Sequence, residues 1–171
     1  MTSEKECCED GCAFVWDAID PEVIGDRIKK GAADIAQLIV AGSAADVRLS
    51  PYVWSPLEYA GHVRDVLLNL RDRLVVGLNE DNPLCKGLFG TSRIELGLYR
   101  GDAPDLVAQE LNSAASLFAR TWDRIPENSR TRTMMYGYPK LADRSLTWVA
   151  AQALHEVEHH LEDVKVGINA S

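Results

Sequence analysis

The sequence predicts an all-α fold, an antiparallel four-helix bundle with long connecting loops. Three observations carry this: apolar residues recur at three- and four-residue steps in four stretches, helix-start signals precede those stretches, and strand-like alternation is scarce. With 171 residues and 46% apolar content the chain can bury one core and is too short to read as two domains. The expected organisation is a cysteine-containing segment over residues 1–18, packed on a single bundle domain over residues 19–171.

Taken in order, Ala13-Phe14-Val15-Trp16 is an apolar patch expected to dock on the domain. Asp20 suits an N-cap, Pro21 the first helical position, and Glu22 complements the helix dipole. Ile24, Ile28, Ile35, Leu38 and Ile39 then form one stripe, and Gly42 is a C-terminal stop, so the first helix spans about residues 21–41. Ser55-Pro56-Leu57-Glu58 reads as a capping box with proline in the first turn, the strongest helix start in the chain. Val63, Val66, Leu67, Leu70, Leu74 and Leu78 carry that second helix to about residue 79, with His62 near its beginning at the edge of the inward face.

From Asn79 to Gly101 the periodicity dissolves among Gly87, Gly90, Gly97, Gly101 and Pro83, which reads as a partial lid or a loop holding a short helix. Asp102-Ala103-Pro104-Asp105 should cap a third helix, carried by Leu106, Leu111, Leu117, Phe118, Trp122 and Ile125 as far as Pro126. Residues 127–144 contain turns and extended-tolerant threonines and tyrosines, which allow a short hairpin. The last helix starts near Ser145 or Thr147 and runs through Trp148, Val149, Leu154, Val157, Leu161 and Val164 to Gly167.

A net charge of -8 and a pI near 5.0 disfavour nucleic acid and anionic membranes as partners, which leaves small molecules or proteins, a homodimer among them. No run of about 18 apolar residues is present and the N-terminus is acidic and polar, so a cytoplasmic protein is expected. Cys7, Cys8, Cys12 and Cys85 should then be reduced. Cys8-x-x-x-Cys12 would supply half of a structural zinc site, for which a second pair is normally needed.

Three of the four histidines fall within Leu154-His155-Glu156-Val157-Glu158-His159-His160-Leu161-Glu162-Asp163, and the fourth is His62. On a helix His155 and His159 lie about 40° apart around the axis and roughly 6 Å apart along it, so both imidazoles reach one point. With His62 they make a tripod for a divalent metal: zinc first, with nickel or iron also accepted by such a ligand set. His160, rotated about 100° from His159, falls outside that set, and Asp163 is a further shell or fourth-ligand candidate. His155-Glu156-x-x-His159 also satisfies the zincin pattern, but only Leu161 to Ser171 remain for a third ligand and no upstream sheet is evident.

The segments Trp54-Ser55-x-x-Glu58-Tyr59-x-x-His62-Val63-Arg64-Asp65 and Leu154-His155-Glu156-x-x-His159-His160-Leu161-x-Asp163-Val164 together resemble the DinB-like (YfiT-like) metalloprotein superfamily, particularly its actinobacterial branch. Cys8-x-x-x-Cys12-Ala13-Phe14-Val15-Trp16-Asp17 is similar to that branch's cysteine-containing leader, with a cysteine spacing one residue longer. The resemblance implies a four-helix bundle with metal ligands corresponding to His62, His155 and His159. It also implies a metal-dependent thiol S-transferase that uses mycothiol or a similar low-molecular-weight thiol as co-substrate against a small electrophile. Arg64, Tyr99, Arg130 and Arg132, with Tyr136, are the candidates to bind that thiol. The competing readings are a metal-dependent hydrolase, in which Glu156 or Glu158 assists attack by water, and a non-catalytic metal- or ligand-binding bundle.

Overall fold

The computed structural model describes residues 12–170, so the expectations for Cys7 and Cys8 lie outside the described residues. The carboxylate of Asp20 accepts from the Glu22 N–H at 3.0 Å. It thereby caps a short 3-10 turn, Pro21–Val23, that runs directly into α1 (Ile24–Ala41). The capping box at the start of α2 (Pro56–Asn79) is complete: Ser55 Oγ accepts from the Glu58 N–H at 3.2 Å, and Glu58 Oε2 accepts from the Ser55 N–H at 2.9 Å. Arg48 grips the same carboxylate with two hydrogen bonds of 2.6 and 2.5 Å, which allows Glu58 to be 97% buried.

The irregular stretch after α2 holds β1 (Leu84–Cys85) and a short helix, α3 (Gly90–Glu95). Next comes α4 (Pro104–Asp123), whose N-cap is Ala103 with no side-chain cap. Pro104 takes the first helical position and leaves Asp102 one residue too early for the capping role expected of it. Val107, Leu111, Ala114, Phe118 and Trp122 face inward, while Leu106, expected in the stripe, is half exposed because Val107 takes the buried position of that turn. The short hairpin expected over residues 127–144 is present as β2 (Thr133–Tyr136) and antiparallel β3 (Ala142–Ser145). β1 joins it in parallel, with Leu84 opposite Met135 and Cys85 opposite Tyr136, so this small sheet ties the loop after α2 to the segment before the last helix. That helix, α5 (Leu146–Asn169), starts where Ser145 Oγ accepts from the Trp148 N–H.

The four long helices form the bundle. α1 packs on α4 and α5, and α2 packs on the same two, so the sequential pairs α1/α2 and α4/α5 sit on diagonals. Ile28, Ile35, Leu67, Leu74, Leu111, Phe118, Trp122 and Leu154 fill the centre. Close approach of α1 to α5 depends on Gly31, where an added Cβ would lie 2.5 Å from Val157 Cγ1. The leader docks through Trp16, which is buried and stacks on Trp148 at 5.5 Å. No helix among the described residues is long and apolar enough to cross a membrane.

Candidate metal centre

On α5, His155 and His159 share one face, and Glu156 and His160 share another about 100° away. Because α5 packs against two helices and the leader at once, the two faces meet different neighbours. The face with Glu156 and His160 meets α2, and His62 joins it: the ligand atoms of His62, Glu156 and His160 all lie within 4.8 Å of one another. His155 and His159 turn instead toward the leader and group with Cys12. Among the described residues, no such group unites His62 with His155 and His159, as the spacing suggested. The rotation of α5 about its own axis decides this, and it brings in His160, which the sequence reading had set aside.

His62 Nε2 lies 3.3 Å, and His160 Nε2 3.4 Å, from the same atom, Oε2 of Glu156. The other carboxylate oxygen accepts from Gln152 Nε2 at 2.7 Å, and Gln152 Oε1 accepts from the Trp16 indole at 2.7 Å. On the far side, His160 Nδ1 lies 2.8 Å from Asp163 Oδ2. Asp163 holds the Nδ1 proton, so that a cation displacing the second proton would meet the Nε2 lone pair, the orienting arrangement that metal-ligating histidines use. Tyr59 stacks on His160 at 5.1 Å, and Trp54 meets His62 edge-on at 5.2 Å. Gly90, at the start of α3, closes the remaining side of His62, since a Cβ there would stand 2.9 Å from Cε1.

Burial pushes the Glu156 carboxyl up, but hydrogen bonds from His160 and His62 and the charges of those rings outweigh it and hold the group far below the usual carboxylate range. Burial likewise opposes protonation of His160, but Asp163 and Glu156 win and raise it to about 9. A buried anion is thus balanced by a neighbouring positive charge. Two imidazole nitrogens aimed at one carboxylate oxygen, at distances longer than the usual 2.7–2.9 Å of a charge-assisted hydrogen bond, leave a cluster that a divalent cation fits. His62 Nδ1 is also buried without a hydrogen-bond partner. Two histidines and one glutamate are the donor set of catalytic zinc sites that keep a position open.

That open side faces a cavity of about 350 Å³ bounded by His62, Glu156, Gln152, Asn69, Lys86, Tyr136 and Tyr138, with Leu88 and Phe89 from the loop before α3. Burial first, then the Glu156 charge, drives the Tyr136 phenol well above its ordinary pKa, so it stays a hydrogen-bond donor. The loop after α2 therefore contributes to the wall of the cavity.

Of the five residues proposed from sequence to bind a thiol, Tyr136 lines the cavity and the other four lie elsewhere. Arg64 bonds Asp65 at 3.0 Å and Glu110 at 2.5 Å, and the Tyr99 hydroxyl donates to Asp65 at 2.8 Å. Arg130 bonds Glu22 and the Ile125 carbonyl and lies over Trp122. Arg132 donates to the carbonyls of Gly77 and Glu80, both at 2.8 Å. None of the four lines the cavity. Each ties one element of the bundle to another, a role that loop position alone does not distinguish from ligand binding. Sequence reasoning missed His160 as a candidate ligand and Lys86 and Tyr138 as cavity residues. The available signal was the second i,i+4 pair, Glu156 and His160, followed by Asp163 three residues on.

A family model described as the DinB superfamily matches residues 29–164. The solved structure of YfiT from Bacillus subtilis, described as "a probable metal-dependent hydrolase with an unusual four-helix bundle topology", superposes with a TM-score of 0.78 at 13% identity. The match covers 99% of this chain and 93% of that one. No curated protein matches the sequence significantly. The fold is thus that of YfiT, and since the family model spans well over half of its length, the chain belongs to the DinB superfamily.

Proposed function

We propose that the chain is a metal-dependent hydrolase of small molecules, with a divalent cation, zinc in the first instance, held by His62, Glu156 and His160. The observation that carries this reading is the convergence of both imidazole Nε2 atoms on Glu156 Oε2, with His62 and Glu156 in the wall of a cavity. When bound, the cation would supply Lewis-acid activation, lowering the pKa of a small nucleophile to near neutrality. The chain's own groups do the rest. Gln152 and Asp163 hold two of the ligands in orientation, Leu88 and Phe89 form part of the cavity wall, and the protonated Tyr136 can donate to a developing oxyanion. Glu156 is then a ligand rather than the general base expected from sequence.

Thiol transfer, by mycothiol or a similar thiol, is the second reading. The same cation would activate a thiol, and Lys86 on the cavity wall offers one cationic anchor for it. The wall lacks the arginines expected to hold such a co-substrate, and this favours water as the nucleophile. The test is turnover of an ester and amide panel by zinc-loaded protein, with and without added thiol and an electrophilic acceptor. Thiol-independent turnover lost in His62→Ala and His160→Ala supports hydrolysis. Conjugation seen only with thiol overturns it in favour of transfer, and equal rates for metal-loaded and chelated protein reject both.

A further inference from the structure

A second group of donors remains outside that site. Cys12 Sγ lies 3.3 Å from His155 Nε2, and the ligand atoms of Cys12, His155 and His159 all fall within 4.8 Å of one another. In a tetrahedral zinc site with one sulfur and two nitrogen ligands, bond lengths of about 2.3 and 2.0 Å put ligand atoms roughly 3.5 Å apart. The Cys12–His155 pair already stands at that spacing, and His159 lies within 4.8 Å of both. His155 is buried, with Phe14 edge-on at 5.1 Å and Trp16 tilted against it at 5.0 Å, so two leader aromatics and the helix hold the ring in place. The group borders a separate cavity of about 630 Å³, whose wall carries Glu158, Glu162 and Asp163 against the single cation Arg27. Arg27 pairs with Glu158 and Lys165 with Glu162, and Asp163 Oδ2 lies 3.8 Å from His159 Nε2.

We propose that Cys12, His155 and His159 form a second metal site, distinct from His62, Glu156 and His160, which binds zinc through one thiolate and two neutral imidazoles. A soft sulfur donor beside two imidazoles selects zinc over magnesium or calcium. Coordination forms one Zn–S and two Zn–N bonds, and the Cys12 thiol proton is released to solvent as the thiolate binds. The three donors leave one tetrahedral position for a further ligand. The consequence is mechanical: a metal joining Cys12 to α5 fastens the leader that carries Trp16, and Trp16 donates to Gln152, which in turn holds Glu156. The helical pair that the spacing singled out, His155 and His159, thus has a partner in the leader cysteine instead of in His62.

The test is metal stoichiometry and cobalt spectroscopy of the full chain. Wild-type protein is expected to bind two equivalents of zinc, and its cobalt form to show the near-ultraviolet thiolate-to-cobalt charge-transfer band. Cys12→Ser should lose one equivalent and most of the band. The double variant His62→Ala/His160→Ala, which leaves this group intact, should keep one equivalent with the band at full intensity, so the result does not depend on Cys12→Ser folding. A double variant that binds no metal, or binds it without the band, overturns the proposal. So does Cys12→Ser protein that keeps both equivalents and the band. Failure of the His62 site alone would lower the wild-type stoichiometry to one equivalent while the band, and its loss in Cys12→Ser, stayed as expected, which separates failure of this proposal from failure of the hydrolase reading.

Discussion

Replacing Gln152 by leucine tests the relay that links the leader to the metal centre. Gln152 is 99% buried, accepts from the Trp16 indole at 2.7 Å and donates to Glu156 Oε1 at 2.7 Å. Leucine has similar volume and neither function, so the substitution leaves one buried donor and one buried carboxylate oxygen unsatisfied. An orphaned neutral donor costs about 1–3 kcal/mol and a lost hydrogen bond to a charged group about 1.5–3 kcal/mol. Because part of each loss can relax, the expected destabilisation of metal-free protein is about 2–4 kcal/mol. For a chain of this length each kcal/mol lowers Tm by roughly 2–4 °C, so a fall on the order of 10 °C is expected. Metal affinity should drop about 10- to 100-fold, the usual effect of removing an outer partner of a ligand. The assays are urea and thermal denaturation of the metal-free protein and chelator competition for zinc. A double-mutant cycle with Trp16→Phe, which removes only the indole donor, should show a coupling of at least about 0.5 kcal/mol. Additive losses together with unchanged zinc affinity would refute the relay.

Three further outcomes follow from the same coordinates. Gly90→Ala introduces a Cβ 2.9 Å from the His62 ring and should weaken zinc binding about 10-fold by displacing a ligand, whereas Gly87→Ala, with nothing within 4 Å, should leave it unchanged in the same chelator competition. Gly31→Ala sets a methyl 2.5 Å from Val157 Cγ1 and should destabilise the bundle by about 1–3 kcal/mol in urea, a loss larger than the gain in helix propensity. Burial raises the Glu58 carboxyl, but Arg48 and the Ser55 N–H outweigh it and lower the folded-state pKa. This pair therefore stabilises the fold fully above the unfolded carboxylate pKa, and the contribution disappears as pH falls through the lower folded value. In Glu58→Gln that segment of the acid dependence should flatten, and denaturation midpoints between pH 6 and pH 2 would detect a parallel curve if the reasoning were wrong.

Much of this molecule is local and was legible in the residues. The capping box at Ser55 and Glu58 forms as the spacing requires, because its hydrogen bonds span three residues and need no tertiary partner. The hairpin before α5 and the docking of Trp16 follow from turn residues and an apolar patch, and the histidine-rich turn of α5 was recognisable as a cluster of candidate metal donors. Where sequence reasoning stopped was rotation. His155 and His159, or Glu156 and His160, satisfy the same i,i+4 geometry, and nothing within the helix says which pair faces α2. Only the packing of α5 among α1, α2 and the leader turned the second pair toward His62 and the first toward Cys12. The arginines were ambiguous for the same reason. A guanidinium reaches several ångströms in any direction, so whether Arg64 and Arg132 meet a ligand or a neighbouring helix depends on what the fold brings within that reach.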